Sequence, residues 1–445
     1  MIRNTERKKV IHCNLMGIYL AAAYNHRVAV VFHAPRSCSH IAYNAFLEGR
    51  ARCLREHPEL DAAKVDGSNL YVTCLSDKEA IFGGEALLRQ CLLDVAGLSN
   101  YDYIIVAAGC VASVIGDDVA AICSEVERST GVPVLRAEGA GFMSKNEIDG
   151  MLNITKALCQ RFVQVDKAPK QKNTVAVFGM NYFASTRAEI AEVKRLLALV
   201  GIKKVLFPPG AMDIKQLQEL AQVEAVTAIH SLPHNLAAVE AYAKSFAARN
   251  EQQFFPFKIP TTMEESYSLL KELGESLGRR GMAEEAIRKE KVSHETFLGR
   301  LRKDLQGVSY VLSVSMPARY FKIARVLQLL DDVGMVLQDI VFGAELTKAE
   351  IAAHKAELES LPAVSFLTED DLSSLPAVSF LTEDDLSSLP ASLLVSTIAK
   401  ECDKPQYCIS YSRLGRTGVE SFYLKLLDTV INEKRLVYED ERRWN

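Results

Sequence analysis

The chain has 445 residues, 49% of them hydrophobic, which is enough to bury cores for roughly three domains of ordinary size. Its formal net charge of -4, with no Lys/Arg cluster interleaved with aromatic residues, excludes the charge pattern of a nucleic-acid-binding protein. The N-terminus lacks the apolar core of a signal peptide, and no apolar run approaches the roughly 20 residues of a membrane span, so we expect a cytoplasmic protein that contacts no membrane.

Short apolar runs alternate with helical periodicity through the first third of the chain. The apolar runs predict strands at 28–33, 70–74, 103–108 and 132–136. The periodicity predicts helices at 84–95, 117–128 and 147–162. This order is typical of a parallel sheet covered by helices on both faces, and we assign it to a first α/β unit at 1–167, before a linker at 168–172.

The rest of the chain repeats this pattern. A second α/β unit at 173–262 has an amphipathic helix at 187–200 and predicted strands at 174–178, 204–207, 225–230 and 254–256. A charged helical stretch at 262–305 predicts bridging helices, for which we assign the segment 263–306. A third α/β unit at 307–445 contains predicted elements at 310–315, 323–333, 336–342, 393–397, 407–411 and 419–431. The fold class is therefore predicted as α/β with mainly parallel sheets.

An unchanged repeat interrupts the third unit. The segment SLPAVSFLTEDDLS at 360–373 recurs at 374–387. Two copies are too few for a solenoid, which needs about three stacked units. We expect one copy of AVSFL to supply a strand. The other copy is extruded, displaced to a sheet edge or an artefact of the sequence, and we assign the repeat no function.

Several catalytic motifs are absent from the sequence. It has no G-x-x-x-x-G-K-[ST], no G-x-G-x-x-G after a strand, no C-x-x-C and no H-E-x-x-H. We therefore expect that the chain does not hydrolyse ATP by itself.

Cys110 lies where an α/β fold places its chemistry. It follows the predicted strand at 103–108, at the carboxyl edge where parallel sheets bind ligands, while Asp117 and Asp118 suit the start of the next helix. Cys13 and Cys38 also lie in or beside Gly, Pro or Ser loops. The pattern alone leaves buried, inert thiols equally possible. The ten cysteines are scattered through the chain, which argues against a disulfide framework.

Five ordered segments carry a resemblance to a known family. They are CNLMG (13–17), HAPRSC (33–38), SDKEAIFGGE (76–85), CVASVIGDD (110–118) and EGAGF (138–142). Weaker matches at 256–262 and at GRTG (415–418) extend the similarity over nearly the whole chain. The chain resembles the nitrogenase component 1 family, which also includes cofactor-assembly scaffolds and dark-operative tetrapyrrole reductases.

The resemblance implies a fold, a cofactor and partners. It implies three Rossmann-like units, each a mainly parallel sheet flanked by helices. Cys13, Cys38 and Cys110 match the family's ligands of an iron-sulfur cluster, of 4Fe-4S or larger P-cluster type, shared with a partner chain. That partner would be a homologous or identical component 1 chain, in a dimer or heterotetramer. Electrons would come from an ATP-hydrolysing iron protein.

The remaining cysteines are assigned no ligand role. Cys53, Cys91, Cys123 and Cys159 lie in helical patterns and are predicted to be core residues. Cys74, Cys402 and Cys408 match no ligand position in the family.

The sequence also departs from the family's catalytic chain. Ser231 stands where that chain has a cysteine ligand of its large metal cofactor, and the segment at 408–416 lacks the histidine that holds the other end. A dinitrogen-reducing site of the usual kind is therefore not expected. His230 and His234 are candidates for a ligand or proton donor in the second unit, although histidines without a chemical role are the more common case.

Three hypotheses follow for the function. The first is a subunit of a nitrogenase-like oxidoreductase, active only with its partners, that relays electrons through an interface cluster to a buried substrate or cofactor site. The second is a scaffold for assembly of a nitrogenase-type metal cofactor. The third is a zinc or small-ligand module using Cys13, His33, Cys38 and His40. The substrate and the choice between identical and different partner chains stay open.

Overall fold

Parallel sheets organise the chain in the computed structural model, which describes residues 13–98, 100–142, 147–165, 169–180, 185–210, 212–230, 233–318, 321–343, 346–359, 391–397, 403–409, 414–434 and 436–438. Within these ranges the strands form three sheets, and every strand pairing is parallel. The predicted α/β class, with three parallel sheets flanked by helices, is confirmed.

The chain divides into two compact units. The first contains Met1–Ile190 and Ile202–Phe257, and the second contains Ala191–Gly201 and Lys258–Asn445. The first two sheets lie in the first unit and the third sheet lies in the second. The domain boundaries drawn from the sequence stay a prediction.

The first sheet has the strand order β2-β1-β3-β4. Its strands are β1 (Val28–His33), β2 (Leu70–Val72), β3 (Tyr103–Ala108) and β4 (Val134–Glu138). The helices of this part are α1 (Asn14–Ala22), α2 (Arg36–Glu56), α3 (Asp77–Phe82), α4 (Glu85–Gly97), α5 (Cys110–Ile115), α6 (Val119–Thr130) and α7 (Glu147–Phe162). Every residue of β1 and β3 is buried, as expected for central strands covered on both faces.

The second sheet has the order β6-β5-β7-β8 and shares one hydrophobic core with part of the first. Its strands are β5 (Gln171–Phe178), β6 (Lys204–Leu206), β7 (Val223–Ala228) and β8 (Gln253–Phe254). The helices that follow these strands are α8 (Arg187–Leu199), α9 (Ile214–Glu219) and α10 (Pro233–Arg249).

The third sheet has the order β10-β9-β11-β12-β13. Its strands are β9 (Ser309–Val314), β10 (Val336–Phe342), β11 (Leu393–Ser396), β12 (Gln406–Cys408) and β13 (Val437–Tyr438). The second unit also contains α11 (Met263–Ser276), α12 (Arg280–Leu305), α13 (Ile323–Asp332), α14 (Lys348–Glu359) and α15 (Gly415–Ile431). The duplicated segment at 360–387, with its predicted strand, lies outside the described residues.

The stretch predicted to hold bridging helices at 263–306 forms two helices, α11 and α12, which are separated at Gly278, whose φ of +66° favours glycine. The GRTG segment has a structural role: the buried Glu192 carboxylate accepts hydrogen bonds from the Arg416 backbone at 2.9 Å and from the Thr417 hydroxyl at 2.7 Å. None of the helices in the described ranges has both the length and the apolar character that crossing a bilayer requires.

Candidate functional site

Two of the predicted cysteines lie where the first sheet reverses its strand order. The central strands β1 and β3 are neighbours, and β2 and β4 flank them on opposite sides. Sheets wound in this way bind ligands in the crevice at the carboxyl ends of the two central strands. Cys38 is in the first turn of α2, after β1, and Cys110 is the first residue of α5, after β3. Both cysteines therefore lie at the edge where this fold places ligands.

Helix α1 brings Cys13 to the same edge, because glycines let it approach closely. Cys13 immediately precedes α1. A Cβ atom on Gly139 would lie 2.6 Å from the Leu15 side chain, so any larger residue at position 139 would displace Leu15. A Cβ atom on Gly150 would lie 2.1 Å from the Asn14 carbonyl oxygen, so glycine also allows α7 to pack on α1. The position of Cys13 thus depends on small residues that follow β4 and begin α7.

The sulfurs of Cys13 and Cys110 flank one backbone position. Gly141 donates its N–H to the Cys110 sulfur at 3.2 Å. A Cβ atom on Gly141 would lie 3.3 Å from the Cys13 sulfur and 3.6 Å from the Cys110 sulfur. The pKa of Cys38 is raised, first by burial and then by the neighbouring Cys13 and Cys110. The structure therefore brings the three predicted cysteines together, with Cys110 exposed and the other two partly exposed.

The chemistry of this donor set fits an iron-sulfur cluster. In the part of the chain that the structure describes, no group of three or more His, Cys, Asp or Glu side chains could hold one ion. In a cluster the thiolates bind different iron atoms, so their sulfurs surround a volume instead of meeting at a point. The soft thiolates suit iron, and the missing side chain of Gly141 leaves the space between two of the sulfurs clear. Three thiols are one fewer than a cubane normally takes.

His33 is buried beside these loops and binds Asp117. Its Nε2 lies 2.8 Å from Asp117 Oδ2, its Nδ1 lies 3.0 Å from Thr73 Oγ1, and its side chain has no exposed surface. Burial lowers the pKa of His33, although the Asp117 carboxylate opposes that shift. The neutral ring donates Nε2–H to the carboxylate, which can only accept. With both nitrogens in use, His33 is not available for the zinc set that the sequence suggested, and His40 is exposed on α2.

Asp117 and Gly84 are site residues whose pairing with His33 was not predicted. The sequence suggested that both Asp117 and Asp118 begin α6, and Asp118 does accept from the backbone N–H of Ala121. Asp117 instead accepts from His33 and from the Gly84 N–H, at 3.0 and 3.1 Å. The signal was present in the G-D-D and F-G-G-E segments, but their contact joins parts of the chain that periodicity cannot relate.

A cleft lies where the second sheet reverses its order, at the carboxyl ends of β5, β6 and β7. It encloses about 410 Å³ of open space, including the part that opens to solvent. Its lining is mainly apolar and comprises Ala21, Ile148, Met151, Leu152, Thr155, Phe178, Gly179, Met180, Pro208, Pro209, His230 and Val239. His230 therefore lies at a ligand-type position in the fold. His234 is in the first turn of α10, its side chain lies outside the described residues, and so does Ser231.

Comparison with known proteins places the chain in a family. The sequence profile described as "Nitrogenase component 1 type Oxidoreductase" matches residues 13–387, most of the chain. The chain belongs to the nitrogenase component 1 family.

Individual relatives of this component 1 chain are more distant. The nitrogenase iron-molybdenum cofactor biosynthesis protein NifE of Methanococcus maripaludis is 23% identical over 259 residues, which are 56% of this chain and 52% of that protein. The nitrogenase molybdenum-iron protein alpha chain of Methanosarcina barkeri is 23% identical over 168 residues, which are 36% of this chain and 31% of that one. The chain thus spans about half the length, or less, of these curated relatives.

A solved nitrogenase structure shares the fold of this component 1 chain. "Nitrogenase Cp1 at pH 5" superposes with a TM-score of 0.58 at 15% identity, over 97% of this chain and 90% of that one. At this identity the likeness concerns the fold alone.

Four other cysteines of this component 1 chain lie within helices. Cys53, Cys123 and Cys159 are buried on helices α2, α6 and α7, and burial raises the pKa of each. Cys91, on α4, is partly buried and its pKa is also raised, to about 11. Such thiols stay protonated at neutral pH and behave as small apolar residues. Cys408 is buried in β12, Cys74 is exposed, and Cys402 lies outside the described residues.

Proposed function

We propose that this chain is a subunit of a nitrogenase-like reductase and holds part of an iron-sulfur cluster at its contact with a second component 1 chain. The observation that carries the proposal is the meeting of Cys13 and Cys110 beside Gly141, with Cys38 as their neighbour, at the carboxyl edge of the first sheet. When bound, such a cluster accepts and releases single electrons. The thiols must stay reduced to bind iron, which favours a cytoplasmic location.

The partner chain would supply the ligands that this chain lacks. Exposed apolar side chains border the cysteines: Ile41, one turn after Cys38, is 56% exposed, and Phe142, next to Gly141, is 58% exposed. Apolar residues exposed beside an incomplete metal site suit a protein contact better than water. We assign this surface to a homologous or identical component 1 chain, which would complete a 4Fe-4S or larger P-type cluster.

An electron donor needs access to the cluster from outside this contact. Helices α3 and α5 lie side by side, and α5 begins at Cys110. Ile81 and Phe82 on α3 and Val114 on α5 are 74%, 81% and 74% exposed. Large apolar residues are rarely left in water as a group without a binding role. We assign this surface, the α3–α5 surface, to an ATP-hydrolysing iron protein that delivers electrons.

The cleft lined by His230 is the proposed substrate site. Its mainly apolar walls would bind an organic substrate by excluding water, and His230 is placed to hold or transfer a proton. We retain His234 as a second proton donor or ligand for this site. Ser231 in place of a cysteine supports a substrate other than dinitrogen, because serine is a poor ligand for a soft metal cofactor.

A cofactor-assembly scaffold is the second candidate. It is favoured by the similarity to NifE, which is named as a cofactor biosynthesis protein. A scaffold would use the same cysteine site and the same fold, but it would bind a metal cofactor precursor and pass it on without turnover.

Electron transfer from an iron protein separates the two candidates. The anaerobically purified chain, with its partner, is mixed with an ATP-hydrolysing iron protein and with MgATP, and the cluster is followed by electron paramagnetic resonance. The reductase proposal predicts repeated ATP-dependent reduction and reoxidation when substrate is added. If the cluster instead dissociates from the protein without breaking down, and transfers to an acceptor without turnover, the scaffold would be supported.

A further inference from the structure

His33 contacts both ends of the helix that begins with Cys110. The His33 backbone oxygen accepts from Gly109 N–H at 3.0 Å, directly before Cys110. The His33 ring lies 2.8 Å from Asp117, directly after the turn that ends α5. One residue at the end of β1 therefore fixes the height and rotation of α5 on the sheet edge.

The Asp117 carboxylate is also held from a third segment. Gly84 donates its N–H to both carboxylate oxygens, and Glu85 accepts from the Asp118 N–H at 2.9 Å. A Cβ atom on Gly84 would lie 2.8 Å from the His33 ring and 2.9 Å from the carboxylate, so this position needs glycine. The F-G-G-E and G-D-D segments thus meet at one buried carboxylate.

The contacts of His33 and Asp117 lie close in the chain to both cysteines that follow the central strands. Cys38 lies five residues beyond His33, past Ala34 and Pro35, and Cys110 lies between Gly109, whose backbone His33 contacts, and Asp117, whose side chain His33 contacts. We infer that His33 and Asp117 form a positioning pair, which sets the spacing of the Cys110 thiol from its neighbours before any metal binds. This inference rests on the proposed cluster site, but it concerns the arrangement of the protein alone.

The test compares Asp117→Ala with two other variants of the full chain. In Asp117→Asn the side-chain oxygen still accepts from His33 or Gly84, so this variant should retain most of the wild-type behaviour. Asp118→Ala removes the helix cap one residue away and leaves His33 untouched. Melting temperatures of all variants are measured first, so that a loss of stability is scored separately from a change at the thiols.

The first readout uses the metal-free protein and a short bis-alkylating thiol reagent. Cross-linking of Cys13 to Cys110 is measured by peptide mass spectrometry. We expect Asp117→Ala to slow this cross-link about tenfold, because two buried donors lose their acceptor and release α5. Asp118→Ala should keep the wild-type rate even where its melting temperature falls. Equal rates in Asp117→Ala and wild type would overturn the inference.

The second readout uses protein reconstituted with iron and sulfide. We expect an altered electron paramagnetic resonance spectrum in Asp117→Ala and a wild-type spectrum in Asp118→Ala. If the wild-type chain, assembled with its partner, takes up no iron but the cross-link still depends on Asp117, the cluster proposal fails and the positioning pair stands. If the wild-type chain forms a cluster and Asp117→Ala changes neither cross-link nor spectrum, the positioning pair fails alone.

Discussion

Gly141 donates its backbone N–H to the Cys110 sulfur at 3.2 Å, and its missing side chain keeps the gap between that sulfur and Cys13 clear. The glycine does so because it follows β4, whose carboxyl end lies at the same sheet edge as that of β3. The cysteine site is therefore built from segments far apart in the sequence that one sheet edge brings together.

Gly141→Ala should weaken cluster binding while leaving the fold intact. The added Cβ would lie 3.3 Å from the Cys13 sulfur, which it crowds, and 3.6 Å from the Cys110 sulfur, which it touches, so it fills the space between them. We expect about a tenfold loss of iron affinity, in the range found when groups that orient metal ligands are changed. Iron is measured after anaerobic reconstitution and dialysis against a chelator.

Gly97→Ala is the matched control for this change. Gly97 ends α4, and among the described residues no atom beyond its chain neighbours and its own helix backbone lies within 4 Å of the position that its Cβ would take. This variant should keep full iron and gain up to about 1 kcal/mol of stability from better helix propensity. Full iron in both variants would show that the space beside Gly141 is not used by the cluster.

Phe82→Asp should slow electron transfer from an iron protein without loss of iron. Phe82 is 81% exposed on the α3–α5 surface, and a charge there opposes apolar contact with a partner. We expect at least about a tenfold fall in the rate of cluster reduction, comparable to removing one strong interface residue. Val292→Asp is the control, since Val292 is 65% exposed on α12 in the other compact unit. Similar rates of cluster reduction in both variants would show that the iron protein does not bind at the α3–α5 surface.

Asp332→Asn should stabilise the protein at neutral and alkaline pH. Burial, with a smaller contribution from Asp331, raises the pKa of Asp332 from 3.8 to about 6. The folded state therefore favours the neutral acid. The contribution of Asp332 to the free energy of unfolding is complete below about pH 4 and is lost as the pH rises through 6. At pH 8 the variant should be more stable by about 1–3 kcal/mol in urea unfolding, and the difference should disappear near pH 4.

Asp428→Asn should change the stability in the opposite direction to Asp332→Asn at pH 8. Hydrogen bonds from Lys434 and Asn432 lower the pKa of the exposed Asp428, so its contribution is present at neutral pH and is lost as the pH falls through the lowered value. This variant should be slightly less stable at pH 8 and equal to wild type at low pH. A stability difference for Asp332→Asn that does not change with pH would mean that burial does not hold its carboxyl in the neutral form.

Local patterns predicted the central strands well, because those strands are continuous apolar runs. The expected strands at 28–33 and 103–108 and the helix at 147–162 have the same bounds in the structure. Helix α2 was predicted only as a helical pattern around Cys53, without bounds, since its sequence is polar and it follows Pro35 in what reads as a loop. Helix α10 was missed for a similar reason, because it begins at Pro233.

In the candidate site, the sequence likewise identified individual residues but not the contacts between distant ones. Cys13, Cys38 and Cys110 were selected because their local segments resemble the nitrogenase component 1 family, whereas the pattern alone left buried, inert thiols equally possible. The pairing of His33 with Asp117 was not predicted, because it depends on contacts between residues 84 positions apart. The sequence also grouped His33 with the cysteines, whereas its ring nitrogens face Thr73 and Asp117. The ligand role of the three cysteines stays a prediction.

Iron and sulfide content tests whether Cys110 holds a cluster. It is measured on anaerobic Cys110→Ala, Cys123→Ala and wild-type protein, together with native mass and electron paramagnetic resonance. Cys110 is exposed beside Gly141, and Cys123 is buried on α6. We predict a brown wild-type assembly of at least two chains, loss of iron and of the paramagnetic signal in Cys110→Ala, and full iron in Cys123→Ala, which should lose only about 1 kcal/mol of stability. Colourless wild-type protein with stoichiometric zinc, or full iron in both variants, would contradict the account.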